Sequence, residues 1–303
     1  MPIWLGPPGN LKQLPYPSKG LSAPRVRAGA VHTLASGGMA VDSLGRRRHY
    51  NLAWQNLGNR AGMSPSGVLD ILERMYEGAF GPGPFALIDS ARTNILPANL
   101  ATATSTRRDT VGWSASWATT PGALASVSTL ITQTGNIRGL SAPMTSGTGV
   151  ATVWASPTAS VPVEPHAPCV LPSLSYTGSV YAAIGAGTGA QSAAARITWF
   201  TAAGVVISTT TGTVTALSTS SWTRLTVTAT SPSNAAYALL SVLPSSVTMP
   251  STLLLDGAQL EQAAAVTGWL LGTGVPRVVF DQLGDGYPLM GYHDVTTTLL
   301  EVG

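Results

Sequence analysis

Between Val111 and Pro250 the only formally charged residues are Arg138, Glu164, Arg196 and Arg224. A folded stretch of that length with so few charges must be coated with Ser and Thr, and its texture is Ser, Thr, Ala, Val and Gly. Short runs rich in β-branched residues recur in it between turn signals: GVATVWAS, YTGSVYAAIG, AARITWFTAAGVVIST, WTRLTVTAT, AYALLSVLP and TLLLDGAQLEQ. WFTAAGVVIS reads as two strands around a turn at Ala203–Gly204. WTRLTVTAT alternates, with Leu225, Val227 and Ala229 on one face. Several β-runs at this spacing imply a β-sandwich or jelly roll. Helix signals are absent from Ala98 to Leu271. No apolar run approaches the ~20 residues of a membrane span, so no membrane partner is expected.

The flanks have a different texture. Residues 1–28 carry Pro2, Pro7, Pro8, Pro15, Pro17 and Pro24, a composition unsuited to a central strand. They read as an extended arm, without the basic start and apolar run of a signal peptide. Trp4, Leu5 and Tyr16, with Leu11 and Leu14, are apolar anchors that a solvated tail does not need. Trp4, Leu5 and Tyr16 are therefore candidates for contact with a neighbouring subunit. RRRHYNLAWQNL (46–57) alternates Tyr50, Leu52 and Trp54 with His49, Asn51 and Ala53, the pattern of a strand with one buried face. LASGGMAVDSLG before it predicts a hairpin partner. SPSGVLDILERMYEG predicts one short helix, with Ser64 as N-cap, Pro65 at the first position and Gly78 as the stop. A short buried strand follows at Phe85–Ile88, with an exit near Pro97. After Thr273, VPRVVFDQL and VTTTLLEV read as strands. They either complete the first domain, making the sandwich an insertion, or form a linear tail. The expected organisation is mainly β: an arm (1–28), a β domain with one short helix (29–97, with 273–303 as its candidate completion), and an inserted jelly-roll sandwich (98–272).

Charge is divided unevenly. Residues 1–108 hold twelve of the sixteen Lys and Arg against five acids, so a basic surface is expected on the first domain. Arg46, Arg47 and Arg48 at a strand start are candidates for ion pairing with a neighbouring subunit. The neutral half lacks the clustered cations of a phosphate-binding groove, and no specific nucleic-acid partner is expected. The single cysteine, Cys169, excludes an intrachain disulfide and a cysteine-based metal site. His32, His49, His166 and His293 form no metal-spaced pair, and no Gly-x-Ser-x-Gly elbow is present. GAGTG at 185–189 links strands and precedes no helix, so it reads as a loop. No catalytic set and no cofactor are expected. Of eight tryptophans, Trp199 and Trp222 read as core. Trp113 and Trp117, in GWSASW, are candidates for stacking on sugar, with Gln133 and Asn136 as nearby polar groups.

LLLDGAQLEQAAAVTGW (253–269), with the strand runs before it, resembles the carbohydrate-binding-module-like jelly rolls of glycosidases and phage tail proteins. The resemblance covers about residues 95–270 and implies that Asp256 and Glu261 are fold markers, not an acid/base pair. Five positions apart on one strand, they are expected on opposite faces. Such domains often hold a structural calcium, for which Asp256 is the candidate ligand. Six or more oxygen ligands are needed, and the flanks supply few carboxylates, so no metal is expected. GRRRHYNLAW, the short helix and YEGAFGPGPFALIDSARTNILPAN resemble the N-terminal domain of distal tail and minor tail proteins of long-tailed phages. That resemblance implies a homo-oligomeric ring, usually six-fold, contacting tail tube and tail-tip proteins. It implies a virion location at the tail tip or baseplate, with assembly in the host cytoplasm. Two alternatives stand beside it: a minor tail or fibre-type protein whose jelly roll binds a host-surface glycan, and an accessory module of a glycan-degrading enzyme.

Overall fold

Strand Gly45–Leu57 organises the first part of the protein, seen here in a computed structural model of the 303-residue chain. The structure describes residues 2–28, 31–33, 39–41, 45–57, 65–102, 113–117, 121–122, 125–127, 139–144, 149–153, 167–185, 191–245, 251–289 and 292–302. The protein is mainly β, built from antiparallel sheets. It divides into unit 1, Met1–Ser90 with Pro276–Gly303, and unit 2, Ala91–Val275.

Unit 1 begins with β1 (Ile3–Gly6), β2 (Lys12–Leu14), β3 (Arg25–Ala28), β4 (Val31–Thr33), β5 (Met39–Val41), β6 (Gly45–Leu57), α1 (Pro65–Tyr76) and β7 (Phe85–Asp89). After unit 2 (α2 and β8 to β19, below) the chain returns as β20 (Arg277–Leu289) and β21 (Tyr292–Glu301). One seven-stranded sheet has the order β2-β1-β7-β20-β21-β6-β3, and β4 pairs with β5. The period-2 pattern of β6 decides its faces: Tyr50, Leu52 and Trp54 are buried, while Asn51 and Gln55 are exposed. Val68, Leu69, Leu72 and Met75 of α1 join these residues, with Ile3, Leu5, Leu14, Val295 and Leu299, in one apolar core. Helix α1 ends in a Schellman motif. Gly78 takes φ 82°, the Gly78 N–H donates to the Met75 carbonyl at 3.2 Å, and the Ala79 N–H donates to the Arg74 carbonyl at 2.7 Å. Ser64, the expected N-cap, lies outside the described residues.

The expected arm is corrected. Residues 3–14 form the β1–β2 hairpin, and β1 is an interior strand, hydrogen-bonded to both β2 and β7. The prolines bracket this strand instead of interrupting it, since Pro2 precedes Ile3 and Pro7 follows Gly6. Beyond Leu14 the chain runs to the opposite edge of its own sheet. The Trp54 indole donates to the Pro15 carbonyl at 2.8 Å, the Ser18 N–H to the Ala53 carbonyl at 2.8 Å, and the Asn51 N–H to the Ser22 carbonyl at 2.9 Å. Of the apolar anchors, Leu5 and Leu14 serve the chain's own core. Leu5 is fully buried and unavailable to a neighbour, Trp4 is half-buried and Tyr16 is exposed.

Unit 2 comprises α2 (Ala98–Ala101), β8 (Trp113–Trp117), β9 (Pro121–Gly122), β10 (Ala125–Val127), β11 (Gly139–Met144), β12 (Gly149–Val153), β13 (Ser175–Ile184), β14 (Ser192–Phe200), β15 (Val206–Thr211), β16 (Thr215–Ala216), β17 (Thr223–Thr230), β18 (Tyr237–Ser245) and β19 (Ser251–Glu261). One sheet runs β10-β11-β19-β13-β17. The other runs β15-β14-β18-β12-β8-β9, with β16 added beside β14. Their inner faces share a core that includes Val180, Ile184, Leu225, Val227, Leu255 and Leu260 from one sheet and Ile197, Trp199, Leu240 and Val242 from the other. The turn at Ala203–Gly204 connects β14 to β15, with Gly204 at φ 77°. The one-turn helix α2 corrects the expectation of no helix here. Pro97 opens it with φ −64°, and the Ala101 and Thr102 N–H groups donate to Pro97 and Ala98 carbonyls. Trp199 is buried edge-on to Tyr176, with ring centroids 5.8 Å apart, whereas Trp222 is half-buried just before β17.

Two predictions follow from burial. Removing residues 277–302 withdraws two adjacent interior strands from the sheet of unit 1 and bares β7 and β6. Unit 1 should then lose its cooperative melting transition while unit 2 keeps its own, as calorimetry would show. Burial also pushes the Tyr176 hydroxyl above its ordinary pKa, against the opposing hydrogen bond it accepts from the Leu171 N–H at 2.8 Å. Below about pH 10, tyrosine is neutral in both folded and unfolded states. As pH rises past that value only the unfolded chain ionises, so the melting temperature of unit 2 should fall there. Tyr176→Phe should flatten that alkaline slope.

Candidate functional site

The strand that carries Asp256 and Glu261 contains an extra residue. On β13, Tyr181 pairs with Asp256 and Ser179 pairs with Gln259, so two residues, Gly257 and Ala258, stand opposite Val180 alone. Gly257 takes φ 53°, as the first position of such a bulge favours glycine. The bulge reverses the parity of every later side chain. Asp256, Gln259 and Glu261 therefore share a face, opposite Tyr181, Ser179 and Thr177. This corrects the expectation of opposite faces. Strand β17 extends the rows: Arg224 pairs with Tyr181, Thr226 with Ser179 and Thr228 with Thr177. The result is a polar outer face on a sheet whose inner face is apolar.

Much of that face is sealed by the chain itself. Asp256, Ser179 and Gln259 are fully buried, and Glu261 and Thr177 nearly so. Residues 262–271 fold back from β19 and are laced to it. Glu261 Oε1 accepts the Gln259 amide at 2.9 Å and the Thr267 N–H at 2.9 Å, and its Oε2 accepts the Thr267 hydroxyl at 2.7 Å. Gln259 Oε1 accepts the Leu270 N–H at 2.9 Å. Arg224 Nη1 donates to the Thr267 carbonyl at 2.6 Å, and its Nη2 to the Ser179 hydroxyl at 3.0 Å. The Thr177 hydroxyl lies 2.9 Å from both the Ala263 carbonyl, to which it donates, and the Thr228 hydroxyl.

Asn94, which the sequence alone did not single out, completes the lacing at the other edge of β19. Its Nδ2 donates to the Ala258 carbonyl at 3.1 Å and the Leu270 carbonyl at 2.9 Å. Its Oδ1 accepts the Leu260 and Leu96 N–H groups, both at 3.1 Å. All four hydrogen-bonding positions of this buried amide are filled. The Trp269 indole adds a second donor to the Ala258 carbonyl at 3.3 Å. Gly272 closes the strap where a Cβ would overlap the Leu96 carbonyl. The only hint of Asn94 in the sequence was its place in the Pro-marked exit segment, which has no periodicity to reveal a partner 164 or more residues away.

The arrangement explains the 253–269 pattern by structure. A carboxylate whose two oxygens accept three hydrogen bonds, two from Thr267 of the strap and one from Gln259 on its own strand, is not poised to exchange protons with a substrate. Among the described residues no group of three or more His, Cys, Asp or Glu side chains gathers around Asp256 or elsewhere. Tyr181 and Arg224 reach the half-exposed end of the face, the guanidinium carbon 5.3 Å from the ring centroid. Trp113 and Trp117 pair through their backbones with Val153 and Gly149. Their side chains, like Gln133 and Asn136, lie outside the described residues. Arg46 and Arg47 stand in β6 opposite Arg27 and Val26, and their side chains lie outside the described residues too. Arg48 is half-buried, its Nε 3.9 Å from Glu301 Oε2, and the same oxygen accepts the Arg48 N–H at 3.2 Å.

No family model matches the chain, and no curated protein sequence matches it. Solved structures similar to it include the CBM22-1–GH10 modules of a Clostridium thermocellum endo-1,4-beta-D-xylanase, at 13% identity and a TM-score of 0.40. That similarity covers 56% of this chain and 28% of the xylanase chain. A tandem CBM22 domain from Paenibacillus barcinonensis is similar at 12% identity over 69% of this chain and 62% of that one, with a TM-score of 0.40. Tailspike protein 4 of bacteriophage CBA120 is similar at 8% identity over 56% of this chain and 22% of that one, with a TM-score of 0.38. Likenesses this low assign neither a ligand nor an activity.

The lacing predicts the cost of cutting it. Asn94→Ala strands buried backbone groups at the bulge and should destabilise unit 2 by about 2–4 kcal/mol. Glu261→Gln keeps the shape but gives up the charge-assisted bonds, and should cost about 1–2 kcal/mol. Denaturant melts monitored by Trp fluorescence would measure both. Two wild-type melts would show that the face is not held as described.

Proposed function

We propose that the chain is a non-catalytic structural protein of a long-tailed bacteriophage virion, of the distal-tail or minor-tail kind. Unit 1 is the assembly domain, closing into a ring that links tail tube and tail tip. Unit 2 is an accessory sandwich spliced into it. The observation that carries this reading is the splice. The chain leaves unit 1 just after β7 and re-enters it at the start of β20, where the Leu87 N–H donates to the Pro276 carbonyl at 3.0 Å and Ala86 pairs with Arg277. Exit and return are neighbours, so a whole sandwich occupies one connection without interrupting the sheet. The internal use of Glu261 and Gln259 supports a role without catalysis. The deciding experiment is mass photometry and negative-stain imaging of the purified chain beside a variant in which a short Gly/Ser linker replaces 91–275. Ring-shaped oligomers of equal copy number are expected for both. A monomer at micromolar concentration in the intact chain would sink the reading.

A second reading, a fibre-type protein whose sandwich binds host-surface glycan, is supported by the half-buried Tyr181 ring beside Arg224, with half-buried Trp222 two positions earlier. Aromatic faces of this kind can stack on sugar rings. Because the buried polar groups beside them are committed to the strap, the isolated sandwich is expected to give no signal on a glycan array. A reproducible signal abolished by Tyr181→Ala, Trp222→Ala, Trp113→Ala or Trp117→Ala would favour this second reading.

A further inference from the structure

Strand β15 pairs with β14 on one side and ends its sheet on the other. One hydrogen bond decides which of its backbone groups are left over. The Gly212 N–H donates to the Ala195 carbonyl at 2.8 Å, one step beyond the Arg196–Thr211 pair. In an antiparallel ladder, pairs that exchange hydrogen bonds alternate with pairs that do not. Ile197–Thr210 therefore exchanges them, while Arg196–Thr211 and Thr198–Thr209 do not. The N–H and C=O groups of Thr209 and Thr211 thus point away from β14, along the open edge, and both residues are exposed.

An open edge is a template for another strand, and proteins blunt such edges with Lys, Pro or bulges. Strand β2, which ends the sheet of unit 1, carries Lys12 and is followed by Pro15. From Ile197 to Thr223 the chain has neither a charged residue nor a proline. The bulge of β15, with Ile207 as its extra residue, precedes the outward threonines and leaves Ser208–Gly212 regular. Apolar side chains stand in water at both ends of this stretch: Val205 and Val206 are 60% and 51% exposed, and Val214 is 53% exposed.

The edge fits a second copy of itself. Reciprocal bonding of the outward groups sets Thr209 of one copy opposite Thr211 of the other, about a two-fold axis at Thr210. In that register Val206 of each copy stands level with Val214 of the other, so the exposed valines cover one another. The irregularities coincide as well. Ile207 falls level with Thr213 of the second copy, where the run from Gly212 to Thr215 also has one residue more than the β14 segment it follows. Thr209 and Thr211 form cross-strand threonine pairs, which are favourable. No charge meets a like charge, and a charged partner strand would find no counter-charge in β15.

We propose that copies of this chain pair through unit 2, β15 of one adding antiparallel to β15 of the other. The contact is isologous, the same patch on both sides. It goes beyond the ring assigned to unit 1 and does not depend on it.

The test uses the full-length chain across the micromolar range, followed by sedimentation velocity and amide hydrogen exchange. Exchange in residues 205–214 should slow as concentration rises. Pairing should be unaltered between low salt and about 0.5 M salt, because no ion pair is involved. Proline is tolerated on an edge strand where its N–H would face outward. Thr209→Pro should therefore keep the wild-type melt of unit 2 while weakening pairing about tenfold, one donor being lost from each copy. Val206→Lys/Val214→Lys sets like charges level and should weaken pairing at least as much. Val206→Lys/Val214→Glu sets opposite charges level and should restore it, an outcome particular to this register. If Thr209→Pro melts early, the two lysine variants decide. Pairing that is equal in wild type and both lysine variants would overturn the contact, and would leave the ring reading standing, since the variant lacking 91–275 has no β15. Rings lost from that variant while the intact chain still pairs would sink the ring reading alone. A wild-type monomer throughout would overturn both.

Discussion

The Gly257–Ala258 bulge puts backbone groups of β19 out of step with their neighbours in a place water does not reach, and the surrounding structure is arranged to satisfy them. Buried backbone groups without partners cost about 1–3 kcal/mol each. Asn94 meets the Ala258 carbonyl and the Leu260 N–H with two of its four hydrogen bonds and ties them to Leu96 and Leu270 with the other two, and the Trp269 indole adds a second donor to the Ala258 carbonyl. The same bulge rotates Gln259 and Glu261 to the face where the strap 262–271 returns, so the strand's side chains hold down the segment that follows it. A local insertion of one residue thus fixes the end of the sandwich, the use of its buried glutamate and the path of the chain toward unit 1.

Unit 1 depends on a different constraint, the joining of both chain ends in one sheet. Strands from residues 3–14, 45–57 and 85–89 flank strands from 277–301. The core under α1 takes Ile3 and Leu5 from one end of the sequence and Val295 and Leu299 from the other. Such a sheet cannot form until the chain on both sides of the sandwich is present, so unit 1 closes through contacts of very long sequence separation. Unit 2 closes on contacts within its own segment.

The apolar arm, the arginine run and the tail sequence each acquired a different meaning once placed. Prolines at 2 and 7 mark the ends of an interior strand. Arg46–Arg48 are half of a ribbon whose other half, Arg25 and Arg27, lies some twenty residues earlier. The acids at the chain end neutralise the unit that the first hundred residues would leave basic.

By itself the sequence determined the class of structure. A long stretch poor in charge and rich in β-branched residues has no stable solvated helix to form, and alternation placed Leu225, Val227, Tyr50, Leu52 and Trp54 on their faces because a strand's period is local. The helix at 65–76 and its glycine stop were legible for the same reason: capping and propensity act within a few residues. What only the tertiary structure decided were relations across the chain. The faces of Asp256 and Glu261 followed from a bulge, and a bulge is defined by the partner strand's register, which a single strand's sequence does not contain. The role of Asn94 depended on a carbonyl at residue 258 and another at residue 270. The opposition of arginines between β3 and β6 depended on which residues the strands bring level. Periodicity reports what a segment buries, while register and long-range closure report what it is buried against, and the second is set by the fold as a whole.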